Sequence, residues 1–393
     1  MKQVKIPAFL YKQSVLVAIF VIITIGITAQ SFLKKMKTFD DSGTLYTHYN
    51  NYVIFKQSYF HLLQQDDLYK LYPTEHWDLY KYSPSFSVMM APMALFPDTI
   101  GLFIWNLLNV LILFFALWKF PHQSARNRLL MLAFVLIELI TSTQNAQSNA
   151  LIAGLFLLAF IQLEKNNRFW ASLFIVLTIY IKLFGIVALA MFLFYPKKLK
   201  SIIYICLWTI LIGALPLLFV SMQQLSFLYS SWWQLLKMDH GISTGLSVAG
   251  WLYTWFGIDA KSGVVLLGTV LFCLPMLRFN MYRDYYFRVL FLVSIMIWVI
   301  IFNHRAESAT FIIAVAGVAV WYFSQKPNVT NTTLIVLCII FSILSPTDLF
   351  PKYIRINYVI PYVLKAVPCI LIWGKIVYDL LLTPPNTILK VEA

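Results

Sequence analysis

From Ser14 to roughly Phe32 the chain carries no charged residue, and comparable apolar runs recur to its far end. About 20 apolar residues, wound as a helix, span the hydrocarbon of a bilayer, so such runs leave few options other than membrane helices. Counting them predicts roughly eleven to thirteen membrane segments. The clear ones are about 14–32, 99–119, 129–143, 149–163, 201–221, 261–277, 287–303, 307–324, 331–350 and 356–382. Composition agrees, because only 12% of the 393 residues are charged and 60% are hydrophobic, whereas a soluble globule holds about a quarter charged. The expected fold is all-α, a polytopic transmembrane helical bundle forming a single integral membrane domain over 1–393 without a soluble domain. The first run is too long for a signal-peptide core and lacks a small-residue cleavage site, so a retained helix is expected.

Three places stay open. Residues 84–97 are apolar but short and hold prolines, which fits a short span or a re-entrant piece. The run 169–195 is interrupted by Lys182, which predicts two short helices with a polar break. Residues 246–256 are too short to cross and read as interfacial, with Trp251 and Trp255 at headgroup depth. The dense cluster Lys197, Lys198 and Lys200, like the basic N-terminus, belongs on the cytoplasmic side by the positive-inside rule. That puts residues 33–83 outside as an extracytoplasmic first loop with short helices. It is polar, aromatic and about 50 residues long, and loops of that length inside compact proteins are usually functional. The polar tail 383–393 is expected to fray.

The net charge of +14 does not indicate nucleic acid. The basic residues fall in short clusters between apolar runs, such as Lys34, Lys35 and Lys37 or Arg278, Arg283 and Arg288, and no basic stripe interleaves with stacking aromatics. Their partners are membrane lipids. Cys206, Cys273, Cys338 and Cys369 each lie in an apolar segment without metal-ligand spacing and read as small buried hydrophobes. Zinc-protease, serine-hydrolase, P-loop and dinucleotide fingerprints are all missing, so any donor substrate is expected to be lipid-borne.

Polar residues that do not belong in lipid are the functional candidates. Lys182 either snorkels from a helix end or offers an ammonium to a phosphate. The run Gln144-Asn145-Ala146-Gln147-Ser148-Asn149 is either a plain loop or a set of amides that orient sugar hydroxyls. In Asn303-His304-Arg305-Ala306-Glu307-Ser308 the charges of Arg305 and Glu307 partly neutralise each other, while His304 and Arg305 together suit a phosphate. The first loop adds the carboxylates Asp40, Asp41, Asp66, Asp67, Glu75 and Asp78, most of which are expected to be merely solvated.

The order of motifs resembles glycosyltransferase family 87, a family of GT-C-fold enzymes that includes polyprenol-phosphate-mannose-dependent α-mannosyltransferases of bacterial envelopes. The stretches that carry the likeness are Asn51-Tyr52-Val53-Ile54-Phe55, Leu68-Tyr69, Tyr82-Ser83-Pro84-Ser85-Phe86 and Ala91-Pro92 through Pro97. Downstream, Gln147-Ser148-Asn149 resembles the family's Gln-x-Asn, Lys182 its lysine after an apolar helix, and His304 its later histidine. The resemblance implies a multi-pass protein of the bacterial inner (plasma) membrane, with Asn51, Tyr82, Gln147, Asn149, Lys182, Arg305 and Glu307 binding substrate. It implies inverting transfer of a hexose, mannose-like, from a polyprenyl-phosphate sugar donor to a lipid or glycan acceptor, without an organic cofactor or an obligatory metal. Lys182, Arg305 and protonated His304 would stabilise the leaving phosphate.

One departure matters. The family's general base opens the first motif, where this chain has Asn51, and an amide cannot accept a hydroxyl proton at neutral pH. Asp41, just beyond the first span, is the expected substitute, ahead of Asp78 and Asp40, with Glu75 a further rival. The residues from Asp41 to Asn51 are expected to fold back as one interfacial helix of about 15 Å. Two other readings remain: a transporter or flippase for a lipid-linked sugar, with charges near the midplane, and a catalytically silent relative that binds lipid-linked glycan.

Overall fold

The computed structural model describes residues 7–39, 43–238 and 245–382. Among these residues every regular element is helical, which agrees with the expected all-α class. Helix α1 (Gln13–Leu33) is followed by a long connection containing α2 (Asn50–Leu63), then by the short α3 (Pro84–Met89) and α4 (Ala91–Ala94). The bundle proper begins with α5 (Asp98–Trp118), α6 (Ala125–Gln144), α7 (Asn149–Glu164) and α8 (Arg168–Ile181). After α9 (Gly185–Ala188) come α10 (Lys198–Gly213), α11 (Met222–Met238), α12 (Val248–Phe256) and α13 (Lys261–Cys273). The last third holds α14 (Tyr285–Ile301), α15 (Ile312–Phe323), α16 (Val329–Leu337), α17 (Lys352–Ile354) and α18 (Val367–Leu382).

Local chemistry sets many of these boundaries. Side chains of Ser83, Ser124, Asp284 and Asn328 accept hydrogen bonds from backbone amides three residues on, at 3.2, 3.1, 2.8 and 2.8 Å, satisfying donors that a helix start leaves orphaned. Pro84 at the first position of α3 has no amide to satisfy. Residues 84–97 form two short helices restarted at Pro92 rather than a span, and 169–195 breaks at Lys182 as expected, where the backbone is extended. Residues 248–256 form one short helix.

Several predicted runs prove shorter. The run 201–221 is helical only to Gly213 and then tightens around Pro216. In 331–350 the helix widens into a π turn over Cys338–Leu344, and in 356–382 only Val367–Leu382 is α-helical, since Pro361 removes a donor from the preceding turns. The helix expected from Asp41 to Asn51 is also absent from its described part. Residues 43–48 are non-helical, and Tyr46 pairs with Lys37 through reciprocal backbone bonds of 2.8 and 2.9 Å, so α2 starts only at Asn50. Asp40 and Asp41 themselves lie outside the described residues, as does the tail 383–393.

Helices α7 and α15 form the centre. Every residue from Ile312 to Trp321 is buried, as are nearly all of α7, because both helices are apolar on every face. Gly154 lets α5 and α7 approach closely: a Cβ there would lie 2.9 Å from the backbone of Ile112 and Leu113. Alanine normally favours a helix interior by about 1 kcal/mol over glycine, but rigid backbone cannot give way. Gly154→Ala is therefore expected to destabilise by about 1–3 kcal/mol, read as a lower unfolding midpoint.

Alternating helix directions give the bundle two different ends. At one end lie Lys119, Arg126, Arg128, Lys165, Arg168, Lys197, Lys198, Lys200, Arg278, Arg283, Arg288 and Lys326, with Glu164 and Asp284 as nearby acids. Contacts such as Arg288–Glu164 (2.7 Å) and Asn127 to Phe323 O (2.9 Å) tie that end together. The opposite end carries α2, the start of α5 and the polar turns after α6, α8 and α14. Helices α1 and α5 are long and apolar enough to cross a membrane, and the other apolar helices run 10–17 residues. Outer faces remain apolar, with Ile202, Ile203, Ile210 and Leu211 of α10 and Leu266 and Leu267 of α13 exposed. Cys338 and Cys369 are buried, but Cys206 and Cys273 are exposed on these outer helices, which corrects the expectation of burial for those two.

Candidate active site

The end opposite the basic one contains a cavity of about 370 Å³. Asn51, Asp78, Tyr82, Gln147, Lys182, His304, Arg305 and Glu307 all line it, so segments far apart in sequence converge. Ile54, Phe55, Leu79, Lys81, Leu183, Phe184, Trp232, Leu236, Asn303 and Thr310 complete the wall.

Lys182 is the cation at the break after α8. Its ammonium donates to Asn149 Oδ1 at 2.8 Å and lies 5.7 Å from the centre of the Tyr82 ring. Asn149, buried at the start of α7, does not line the cavity but holds Lys182 from behind, anchored by a 3.0 Å bond from its Nδ2 to Ala309 O. The same Nδ2 donates to Gln147 Oε1, and Gln147 Nε2 donates to Glu307 Oε2 at 3.0 Å. A chain of hydrogen bonds therefore connects the ammonium to a carboxylate through two amides. Glu307 also caps the turn into α15, with its amide donating to Thr310 Oγ1 at 2.8 Å. His304 and Arg305 follow α14, where Arg305 N donates to Asn303 Oδ1 at 2.9 Å. Gly245 backs this turn with φ +54°, and a Cβ there would stand 2.5 Å from His304 O.

Two adjacent asparagines join the first loop to this frame. Asn50 donates to Trp77 O at 2.8 Å and accepts from Trp77 N at 2.9 Å, pinning the segment that leads to Asp78. Asn51 donates to Asn145 O at 2.9 Å and so bridges the start of α2 to the turn after α6. Asp78 has φ +74°, a sparsely populated conformation for a non-glycine residue that signals stored strain. Its carboxylate accepts from Leu79 N at 2.7 Å and meets Lys81 at 3.0 Å while staying about half exposed. Trp232 of α11 donates to Lys81 O at 3.3 Å and closes that side.

The remaining acids divide plainly. Glu75 pairs with His61 at 3.0 Å, away from the cavity. Asp67 accepts from Tyr69 N at 3.1 Å within its own turn. Among the described residues no group of three or more His, Cys, Asp or Glu is arranged to hold a metal.

His76 is buried behind Asp78 and donates from Nδ1 to Asp78 O at 3.1 Å. Burial pushes its pKa below the ordinary 6.5, an effect that His61 reinforces and that the Asp78 carbonyl, Glu75 and Asp78 only partly offset. An unfolded chain takes up the proton near that ordinary value and the folded chain resists it until lower pH, so the segment loses stability as pH falls below about 6.5. His76→Gln is expected to flatten this dependence, measured as unfolding midpoints between about pH 5 and 8.

Sequence reasoning missed α11, whose Trp232 and Leu236 reach the cavity; its apolar residues recur at helical spacing, which was the available signal. It also missed a buried ion pair outside the cavity, Lys365 Nζ to Glu138 Oε1 at 2.7 Å. Charges inside apolar runs were the signal there.

A model of glycosyltransferase family 87 matches residues 80–346, more than half of the chain. The match includes Tyr82, Gln147, Asn149, Lys182 and the turn from Asn303 to Ser308, whereas Asn51 and α2 precede it. No curated protein matches the chain.

Proposed function

The chain belongs to glycosyltransferase family 87, and from that premise we propose that it transfers a hexose, mannose-like, from a polyprenyl-phosphate donor to a lipid or glycan acceptor. It does so as one integral, multi-pass domain of a bacterial inner (plasma) membrane, with its cavity on the extracytoplasmic side. The observation that carries this reading is the convergence of cations and carboxylates in one cavity at one end of the bundle. A transporter would instead place its charged site between discontinuous helices near the midplane. Orientation is supported by the opposite end, where lysines and arginines gather as positive-inside loops do. The exposed aliphatic faces of α10 and α13 suit acyl chains.

In the proposed reaction the acceptor oxygen attacks the anomeric carbon from the face opposite the phosphate. The bond from that carbon to the phosphate oxygen breaks, giving polyprenyl phosphate and an inverted glycoside. Lys182, Arg305 and protonated His304 stabilise the charge that grows on the phosphate. Gln147 and Asn149 set the position of Lys182, while Asn51 and Tyr82 bind substrate. Asp78 takes the acceptor's proton. Among the cavity's two acids, Glu307 already caps a helix and receives the amide chain from Lys182, whereas Asp78 sits on strained backbone with a half-exposed carboxylate. Asp41, and after it Asp40, remain the rivals for this role.

The test is incubation of purified protein in nanodiscs with polyprenyl-phosphate sugars and a membrane lipid extract, followed by mass spectrometry of the lipid products. Formation of a glycosylated lipid with release of polyprenyl phosphate is expected. Donor binding without turnover would favour a silent relative, to which the amide at Asn51 points. Neither binding nor turnover with any donor would remove the reading.

A further inference from the structure

At the basic end, a second cavity of about 230 Å³ opens between the turn from α7 to α8 and the turn into α10. Arg168, Lys197 and Lys200 line it together with the amides Asn166 and Asn167. Lys197 and Lys200 are exposed, but Arg168 is only 6% exposed. The Arg168 guanidinium donates from Nε to Pro196 O at 3.0 Å and from Nη1 to Asn166 O at 3.4 Å, which joins the two turns. Its Nη2 has no protein acceptor among the described residues. None of the three cations takes part in an ion pair among those residues either. A buried guanidinium held by carbonyls alone lacks a counter-charge, and a counter-charge is what normally makes such burial tolerable.

The backbone adds to this field. Asn166 and Lys197 both turn with φ +57° just before α8 and α10, and the first turns of both helices line the pocket. Helix starts present unpaired amides and partial positive charge, so two of them beside three cations make a strongly anion-selective pocket. Below it the surface changes character. Leu199, Ile203 and Ile210 of α10 are 71, 55 and 68% exposed, and Trp170 is 46% exposed beside Phe169, whose carbonyl accepts from Trp208 Nε1 at 3.1 Å. Exposed aromatic residues beside an open aliphatic face suit a bilayer lipid, and a freely diffusing phosphate would need neither.

We propose that this pocket binds the phosphate of an anionic phospholipid, with its acyl chains along the exposed face of α10. The site lies at the end of the bundle opposite the cavity that holds Asp78 and Lys182, and nothing in the proposed transfer reaction uses it. The proposal rests on the membrane reading above but not on the identity of the sugar donor. An anchor of this kind fixes the depth of the α7–α8 and α9–α10 turns in the bilayer, and through α8 it sets the depth of Lys182.

The experiment is native mass spectrometry of full-length protein released from micelles containing equal phosphatidylglycerol and phosphatidylcholine, without sugar donor. Wild type is expected to retain phosphatidylglycerol preferentially. Lys197→Asn combined with Lys200→Gln keeps the left-handed turn and the helix but removes two charges, and should cut that preference by about thirtyfold. Arg168→Lys, which keeps a cation but loses the planar fork, should fall between the two. Three results would overturn the proposal: equal retention of both lipids by wild type, an unchanged preference in the double variant with helix content intact, or full displacement of the lipid by millimolar inorganic phosphate. Turnover is assayed separately in nanodiscs. In wild type, equal retention of both lipids with turnover present defeats this proposal alone, and absent turnover with the lipid preference present defeats the donor assignment alone.

Discussion

Asp78→Asn is expected to lower turnover by about a hundredfold or more while leaving donor binding nearly unchanged, because the substitution removes a proton acceptor and little else. Asparagine tolerates the positive φ at this position, and its side-chain oxygen can still accept the amide of Leu79. The ion pair with Lys81 is lost, but both partners are partly exposed, so the structural cost of that loss is small. Glu307→Gln is expected to act differently. It weakens the hydrogen-bond chain to Lys182 and the cap of α15, so donor affinity should suffer together with turnover. Measuring both quantities for Asp78→Asn, Glu307→Gln and Asp41→Asn separates the roles. Near-normal turnover in Asp78→Asn, with loss in Asp41→Asn, would move the base to the segment before α2.

The second large effect concerns stability. Lys365→Met should destabilise the protein by about 3–5 kcal/mol, since it strands a carboxylate that the fold cannot hydrate. Glu138 is fully buried, its Oε1 meets Lys365 at 2.7 Å, and its Oε2 has no hydrogen-bond partner. Replacing both residues with methionine removes the stranded charge and fills similar volume, so the double variant should recover most of the loss. Thermal unfolding in detergent, followed by helix content, reads both. A single variant as stable as wild type would mean that the carboxylate finds another proton or cation source. The Lys365 ammonium also lies 5.2 Å from the ring of Phe311, in the turn that the Glu307 cap opens.

Helices such as α1, α5, α7 and α14 were legible in the sequence because long apolar runs without prolines have only one way to satisfy their backbone away from water. Family membership was legible for a related reason, since Tyr82, Gln147, Lys182 and His304 stand at fixed places relative to those runs. The expected runs 201–221 and 356–382 fail around Pro216 and Pro361, which the count of apolar residues passed over, and how far each helix shortened depended on packing around the turns. Helix α2 and the amphipathic α11 were harder, because each mixes polar residues among its apolar ones and offers no long apolar run to reveal it.

The amino-acid sequence by itself determined an all-helical chain, its family, and which polar residues lay out of place. Only the tertiary structure decided which of them share a cavity. Glu75 and Asp78 are neighbours in the chain, yet one pairs with His61 and the other faces Tyr82, Lys182 and Glu307. The difference arises from the turn at Asp78, held by Asn50 against Trp77 and by His76 beneath. The Asn50–Trp77 contacts join residues 27 apart in the chain and the place of His76 depends on burial, and no local pattern of residue types encodes either.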